Sequence, residues 1–422
     1  MSGTLNSMDS IWRERAKAVL PNGMYGHLST RMLPEAYPQF FSRAEGALMW
    51  DVDGVGYIDY MCAFGPNLFG YGDREIDDAY VAQLRKGDTL TGPSPLLVQL
   101  AEAMVAQVSH ADWALFCKNG TDATTAAVMA ARAATGRATI LRARGSYHGT
   151  SPWCTPVPAG TTEADRSGQL WFDYNDVESL KAAAAQAGAD LAAIIATPVN
   201  QNTFLQQAMP TAEYAKAARQ VCDVAGAMLI TDEVRSGFRV TRDGIWDELG
   251  AAPDLSAWGK AIANGHCLSA LLGNARARAG IESVFVTGSY WFSAAPMAAS
   301  LVVMSRIRDG AYLDHINHIG GALRTGLDDL ATRYGVGFQQ SGPVTMPLMT
   351  FTDDPDFRAG FHWCTEMLRQ GVYLHPWHNM FINTAMTDAH VEITLKAADK
   401  AFASLNAARA TLPPNSRLPG AS

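Results

Sequence analysis

The sequence predicts an α/β protein: a large domain on a mainly parallel sheet, joined to a smaller α+β domain. Three observations predict it. Strand and helix patterns alternate from about residue 71 to 310, and such alternation builds a sheet covered on both faces. The strand patterns Thr139 to Leu141, Leu191 to Ala196 and Met228 to Thr231 are short unbroken apolar runs, as strands buried on both faces require. A length of 422 residues is more than one core comfortably fills, which calls for a second domain.

Residues 1–70 open the smaller domain. Asp9 to Leu20 has helical spacing and stops at Pro21-Asn22-Gly23, a breaker cluster. Ala47 to Asp51 and Tyr57 to Tyr60 read as two strands around Asp53-Gly54, a hairpin turn signal. The Asp-x-Asp-Gly there invites a calcium-loop reading, which fails because the later acidic ligands are missing. Residues 71–310 make the large domain. Ser94 to Val108 carries Leu97, Leu100, Met104 and Val108 on one helical face. Asp122 to Thr135 is alanine-rich and suits close packing. Thr211 to Ala225 is a helix between two strand runs, a βαβ unit of the expected length. Residues 311–422 complete the smaller domain, with helical patterns Leu313 to Tyr334, Asp356 to Gln370 and Asp388 to Ala410 around strands near Pro347 to Phe351 and Gly371 to Leu374. The tail Pro413 to Ser422, rich in Pro and Ser, is expected to fray.

Hydrophobic residues make up 48% and charged residues only 18%, below the roughly 25% usual for soluble domains. Little charge means much buried surface, as in a large α/β enzyme or an obligate oligomer. With Lys+Arg 33 against Asp+Glu 41 and a net charge of −8, the chain has no electrostatic footprint for nucleic acid. The six cysteines form no C-x-x-C pair, which speaks against a zinc ribbon or a redox motif. Each is expected to be a small buried hydrophobe. His375 and His378 lack a third ligand for a metal. The first 25 residues alternate charged and apolar positions without the apolar core of a signal peptide. No apolar run approaches the roughly 18 residues of a spanning helix. A cytoplasmic protein is the expectation, with no membrane partner.

Three segments carry chemistry. Asp232 ends a buried strand pattern, and alternation puts Val234 on its side. Ligands of open α/β sheets bind at that strand edge. A carboxylate beside an apolar residue suits a flat heteroaromatic ring, one meeting a ring nitrogen and the other packing on the ring's face. A carboxylate that caps the following helix fits the same segment. Lys260 follows the pattern Leu255 to Trp258 and is flanked by Gly259 and Gly265. A lysine in so apolar a window has a lowered pKa and forms Schiff bases with aldehydes. Gly120 and Thr121 stand at the start of the alanine-rich helix, where first-turn amides and a hydroxyl can hold a phosphate. Tyr147, just after another strand, can stack on the ring's open face. A lysine with a carboxylate for a pyridinium nitrogen is the pyridoxal phosphate pair.

In order and spacing these residues resemble the class III, fold-type I aminotransferases. The resemblance runs through Trp50-Asp-Val-Asp-Gly54, Tyr57-Ile-Asp-Tyr60, Asn119-Gly-Thr-Asp-Ala123, Tyr147-His-Gly149, Leu229 to Arg239, Pro253-Asp-Leu255, Gly259-Lys260 and Gly371-Val-Tyr373. It implies a pyridoxal phosphate transferase with a seven-stranded, mainly parallel sheet and a smaller α+β domain built from both termini. By the same resemblance Lys260 carries the cofactor and later moves a proton, Asp232 keeps the pyridine nitrogen protonated, and Val234 and Tyr147 flank the ring. Gly120 and Thr121 then hold phosphate. Ser289, in Gly288-Ser289-Tyr290, resembles the residue that reaches the phosphate from a neighbouring subunit, which implies a homodimer with shared sites.

Within the class the pattern is closer to the glutamate-1-semialdehyde aminomutase branch. Gly23-Met-Tyr-Gly-His27, Ser29-Thr-Arg31, His110-Ala-Asp-Trp113, His375-Pro376 and His378-Asn-Met-Phe381 resemble members that move an amino group from a long-chain amine to pyruvate. Thr197-Pro198-Val199 stands where many members have Glu-Pro-Val, and Phe292-Ser293-Ala294 where they have Gly-Asn-Pro. The first departure argues against a glutamate-specific switch, the second against the intramolecular amino shift. Trp291 and Phe292 suggest a pocket for a hydrophobic amine. Arg31 resembles a carboxylate-binding arginine, and a surface arginine fits equally; His378 is placed at the entrance. A bulky-amine transaminase using a 2-oxo acid is the leading expectation, with a β-amino-acid transaminase or an aminomutase as the alternative.

Overall fold

The computed structural model describes residues 7–201 and 204–418. The chain divides into two compact units. One comprises Met1–Phe64, Phe69–Asp73 and His315–Ser422, the other Gly65–Leu68 and Arg74–Asp314.

The first unit opens with the helix Met8–Val19, capped by the Ser7 side chain. Strands β1 (Phe41–Glu45), β2 (Leu48–Asp51) and β3 (Gly56–Asp59) follow as an antiparallel ribbon. The Asp-x-Asp-Gly segment is a turn that fastens its neighbours. Asp51 Oδ1 accepts the amides of Asp53 and Val55 at 3.0 and 2.9 Å, Gly54 takes the left-handed φ of 85°, and Asp53 accepts the amides of Met8 and Asp9. The last two bonds satisfy first-turn donors of the helix, which have no partner within it.

The second unit holds β4 (Trp113–Cys117), β5 (Thr139–Ala143), β6 (Gln169–Phe172), β7 (Leu191–Ala196), β8 (Met228–Asp232), β9 (Leu255–Trp258) and β10 (Ser269–Gly273). They form one sheet in the order β4-β10-β9-β8-β7-β5-β6. Every pairing from β6 to β9 is parallel, and β10 runs antiparallel to both neighbours. The expected mainly parallel seven-stranded sheet is therefore present, with one strand reversed. All residues of β7 and β8 are buried, which is why these runs are apolar without alternation. The helix Gly120–Thr135 lays Ala123, Ala126, Ala127, Ala130 and Ala131 inward, and its alanines pack with Ile140, Ile195, Ile230 and Leu271 of the sheet. Small side chains bring backbones close: a Cβ on Gly280 would lie 2.4 Å from the Ala130 carbonyl oxygen. Buried Asp254 fastens one end of the sheet, accepting from Arg219, Leu229 N, Asn274 and Arg276 at 2.8 to 3.0 Å.

The remainder of the first unit contributes β11 (Phe338–Ser341), β12 (Leu348–Phe351) and β13 (Val372–Tyr373). β11 and β12 form an antiparallel pair, and β13 lies parallel to β3. Two expectations need correction. Five cysteines are buried, but Cys267 is exposed, because it lies in a turn between Lys260 and β10 rather than within an element. The tail does not fray throughout: Asn415 bonds Asp356 through its amide and side chain, and Leu418 is buried. Residues 419–422 lie outside the described residues.

Among the described residues no helix is long and apolar enough to cross a membrane.

Candidate active site

β8 delivers Asp232 to the carboxyl edge of the sheet, buried. Its Oδ2 lies 2.8 Å from His148 Nδ1, and its Oδ1 accepts the Val234 amide at 3.2 Å. A carboxylate only accepts, so the proton between the two belongs to Nδ1 of a neutral imidazole, an assignment made from the bonding pattern. Burial lowers the His148 pKa, against the pull of Asp232 and with some help from Arg142. Nε2 of His148 finds no partner among the described residues. The imidazole stacks at 6.4 Å on Trp153, nearly parallel.

Lys260 stands just beyond β9 with a left-handed φ of 49°. Burial, then the neighbouring charge of Arg235, lowers its ammonium to about 8, while Asp232 pulls the other way. Val234 links this segment to the start of the alanine-rich helix. A Cβ on Gly259 would meet Ser269 Oγ at 2.8 Å and Val234 at 3.3 Å, and one on Gly120 would meet Val234 at 2.7 Å. The absence of side chains at both glycines therefore leaves the isopropyl group room beside the lysine. Val234 and Trp291 also pack against Cys117, Ala123 and Ala257.

Gly120 and Thr121 open the alanine-rich helix, where the first amides precede the intrahelical ladder and the helix dipole favours an anion, while the Asp122 and Ala123 amides already donate to the Asn119 carbonyl. Asp122 Oδ2 occupies the amides of Lys118 and Asn119. The Tyr147-His148-Gly149 loop is stitched to this helix. Thr124 donates to the His148 carbonyl at 2.6 Å, and the Thr150 amide donates to Thr121 Oγ1 at 3.2 Å. A Cβ on Gly149 would lie 2.4 Å from Thr121 Oγ1. Tyr147 is 42% exposed, its phenol raised by burial and lowered by Arg235.

Gly120, Thr121, Tyr147, Asp232, Val234, Lys260 and Trp291 thus lie in one unit about one sheet edge. Ser289 is in the same unit, on an exposed turn beside Tyr290, itself 68% exposed. Arg31 and His378 belong to the other unit. Arg31 is exposed and bonds Ser29. His378 bonds the Asn379 carbonyl at 2.6 Å and meets Phe64 edge-on.

Sequence reasoning missed three residues of this neighbourhood. The sequence marks His148 only as the neighbour of Tyr147; a buried carboxylate demands a donor, and that demand is the signal that points to it. Arg235 lies one residue past Val234, in charge contact with Asp232 and Tyr147. Glu233 is buried, and desolvation pushes its carboxyl to about 8; it accepts from Ser236 Oγ and the Ile245 amide.

The family model for Aminotransferase class-III matches residues 32–407. The chain is 52% identical over 403 residues to the aminopentol aminotransferase of Sphingopyxis macrogoltabida, covering 96% of both. It is 32% identical to the 3-aminobutyryl-CoA aminotransferase of Cloacimonas acidaminovorans, over 92% of this chain and 95% of that one. Among solved structures it is similar to the PLP internal aldimine form of the FumI protein of Sphingopyxis sp. MTA144, with a TM-score of 0.95, 52% identity and coverage of 96% and 98%.

Proposed function

Because the chain belongs to the class III aminotransferases, we propose that it moves the amino group of a bulky or long-chain amine to a 2-oxo acid, pyruvate, in two ping-pong half-reactions at one site. The enzyme is a pyridoxal phosphate aminotransferase. The residues present fit that cofactor. Asp232 offers a buried carboxylate whose Oδ1 has one donor among the described residues, the helix start offers first-turn amides, and glycines at 120 and 259 leave Val234 its place.

When bound, pyridoxal phosphate supplies an aldehyde and an electron-withdrawing ring. The chain's own groups do the rest. Asp232, oriented by His148, keeps the ring nitrogen protonated. Val234 supports one face of the ring and Tyr147 the other. Gly120 and Thr121 bind the phosphate. Lys260 would hold the cofactor and then move a proton between the donor's α-carbon and the cofactor, in one direction in the first half-reaction and in the other in the second; an ammonium lowered to about 8 suits a group that must both take and give a proton near neutral pH. Trp291 walls the amine's apolar portion, and Arg31 and His378 stay the substrate candidates that the family resemblance implies.

A homodimer with shared sites belongs to this reading, with Ser289 of each protomer bonding the other's phosphate. Exposure of 90% at Phe285, 68% at Tyr290 and 40% at Phe292 supports it, since three large apolar side chains around one turn suit a second copy. The enzyme then works in the cytoplasm.

The observation that carries the substrate reading is the 52% identity to an aminopentol aminotransferase over 96% of both chains. A second reading, a β-amino-acid transaminase, draws on the likeness to the 3-aminobutyryl-CoA enzyme. A panel of long-chain amines and β-amino acids, each tried with pyruvate and 2-oxoglutarate and read by product formation, separates the two. Alanine formed only from long-chain amines supports the first reading. Turnover confined to β-amino acids supports the second.

A further inference from the structure

His110 lies between the helix Leu96–Gln107 and β4, with its side chain 2% exposed beside Asp247 at 5%. Nδ1 is 3.0 and 3.1 Å from the two Asp247 oxygens, and Nε2 is 2.9 Å from Ser256 Oγ. That same Oγ receives the Trp258 indole N–H at 2.7 Å. The donor inventory orders the protons. The indole nitrogen only donates, and the carboxylate only accepts, so Nδ1 carries a proton. Were Nε2 protonated too, the buried Ser256 hydroxyl would find no acceptor for its hydrogen among its described partners. With Nε2 bare, each group donates once down the row: Trp258 to Ser256, Ser256 to His110, His110 to Asp247. Asp247 is held in turn by Ser109 Oγ at 3.2 Å, and its carboxylate closes over Gly244, where a Cβ would clash at 2.1 Å.

The row ends two residues before Lys260. The Trp258 ring stacks on Phe238 at 4.6 Å, and a Cβ on Gly237 would come within 2.7 Å of it, so the indole has one place to lie. Beyond it Gly259 is extended and Lys260 turns left-handed, at φ 49°. A non-glycine residue keeps that conformation only where its surroundings enforce it.

We infer that His110 is a positioning residue for Lys260: through Ser256 it pins Trp258, and the pinned indole holds the turn that presents the lysine amine. The inference rests on the reading of Lys260 as the cofactor-holding residue.

Cofactor-free full-length protein is mixed with pyridoxal phosphate, captured label is fixed with borohydride, and its rate and location are read by mass and peptide mapping. His110→Asn keeps a polar atom near the Nδ1 position for Asp247 and loses Ser256. His110→Gln reaches the Nε2 position and keeps Ser256. Capture on Lys260 should slow roughly three- to tenfold in His110→Asn, the effect of one lost hydrogen bond, and recover in His110→Gln. A role confined to the buried His–Asp pair gives the opposite order, and that order, or equal rates in all three proteins, overturns the inference. Nitrogen-15 NMR of histidine-labelled wild type needs no variant: the proton should sit on Nδ1 of His110, and a proton on Nε2 alone overturns the row. Wild-type label on a lysine other than Lys260 overturns the cofactor reading, and the inference with it, before any His110 variant is made. Label on Lys260 at an unchanged rate in His110→Asn overturns the inference alone.

Discussion

His148 Nδ1 lies 2.8 Å from Asp232 Oδ2, and the two side chains are 0% and 7% exposed. The pair fixes the Asp232 carboxyl in direction, with its other oxygen held by the Val234 amide. A carboxylate held this way is preorganised for a protonated ring nitrogen and needs no rearrangement when charge develops. Asp232→Asn should retain cofactor while the rate of amine turnover drops about 100-fold or more, the scale of losing one preorganised electrostatic partner. His148→Phe, which keeps a ring but no donor, should cost roughly ten- to a hundredfold, as for one hydrogen bond to a charged group. Single-turnover kinetics check both, and an undiminished rate in Asp232→Asn removes Asp232 from the ring nitrogen.

Lys260 supplies a pH-dependent test. An amine must be neutral to attack an aldehyde, and a pKa of about 8 leaves about one lysine in ten neutral at pH 7, against roughly one in 3,000 for a pKa of 10.5. The rate at which cofactor-free protein captures pyridoxal phosphate should therefore climb about tenfold per pH unit below 8 and level off above it. The same shift has a stability sign. Between pH 8 and 10.5 the unfolded chain holds a proton at this site that the folded one does not, so cofactor-free protein gains stability as pH rises through that window. Lys260→Ala should abolish both the capture and the gain; capture that persists on the variant assigns the cofactor to another lysine.

Much of this site was legible in the chain, for a physical reason. Asp232 and Lys260 stand out in the chain because a charged residue at the end of an apolar run has few places to go, and Val234 follows from alternation along the strand. His148 did not, because its partner is 84 residues away and no local period relates the two. Strand direction was likewise invisible: β10 reads as an apolar strand in either orientation, and only pairing makes it antiparallel to β9 and β4. β6 is four residues with one buried side chain, too short to stand out. Asn415 holds the tail through Asp356, a contact that a stretch rich in Pro and Ser does not reveal.

Glu233 adds a prediction that concerns stability alone. Burial pushes its carboxyl from 4.5 to about 8, with Asp247 and Asp232 adding to the rise. Between those values the folded state holds a proton that the unfolded state has lost, so this residue's contribution to stability falls as pH rises from about 4.5 to 8. Glu233→Gln removes the titration while keeping both bonds, accepting from the Ile245 amide and donating to Ser236. Urea midpoints at pH 5 and pH 8.5 should differ less in the variant than in wild type. Equal pH sensitivity in the two proteins assigns the alkaline loss elsewhere.

Ser289 carries the prediction on assembly. Its turn is exposed, while Trp291 two residues on packs inward beside Val234. A hydroxyl presented outward from a segment anchored at one site is placed to serve a site on a second copy. If it bonds the partner's phosphate, cofactor binding and dimerisation are linked, because a ligand bridging two chains favours the assembled state. Ser289→Ala should weaken cofactor binding by about 1.5–3 kcal/mol, as for a hydrogen bond to a charged group, and wild type stripped of cofactor should dissociate more readily on dilution. Subunit mixing tests the sharing directly. Lys260→Ala and Ser289→Ala protomers, assayed at limiting cofactor where each is nearly inactive alone, should regain part of the activity when mixed, since one site in each heterodimer then carries neither change. A serine that only shapes its own chain's loop puts both changes in separate sites, and exchange of subunits without recovery of activity follows from that arrangement instead.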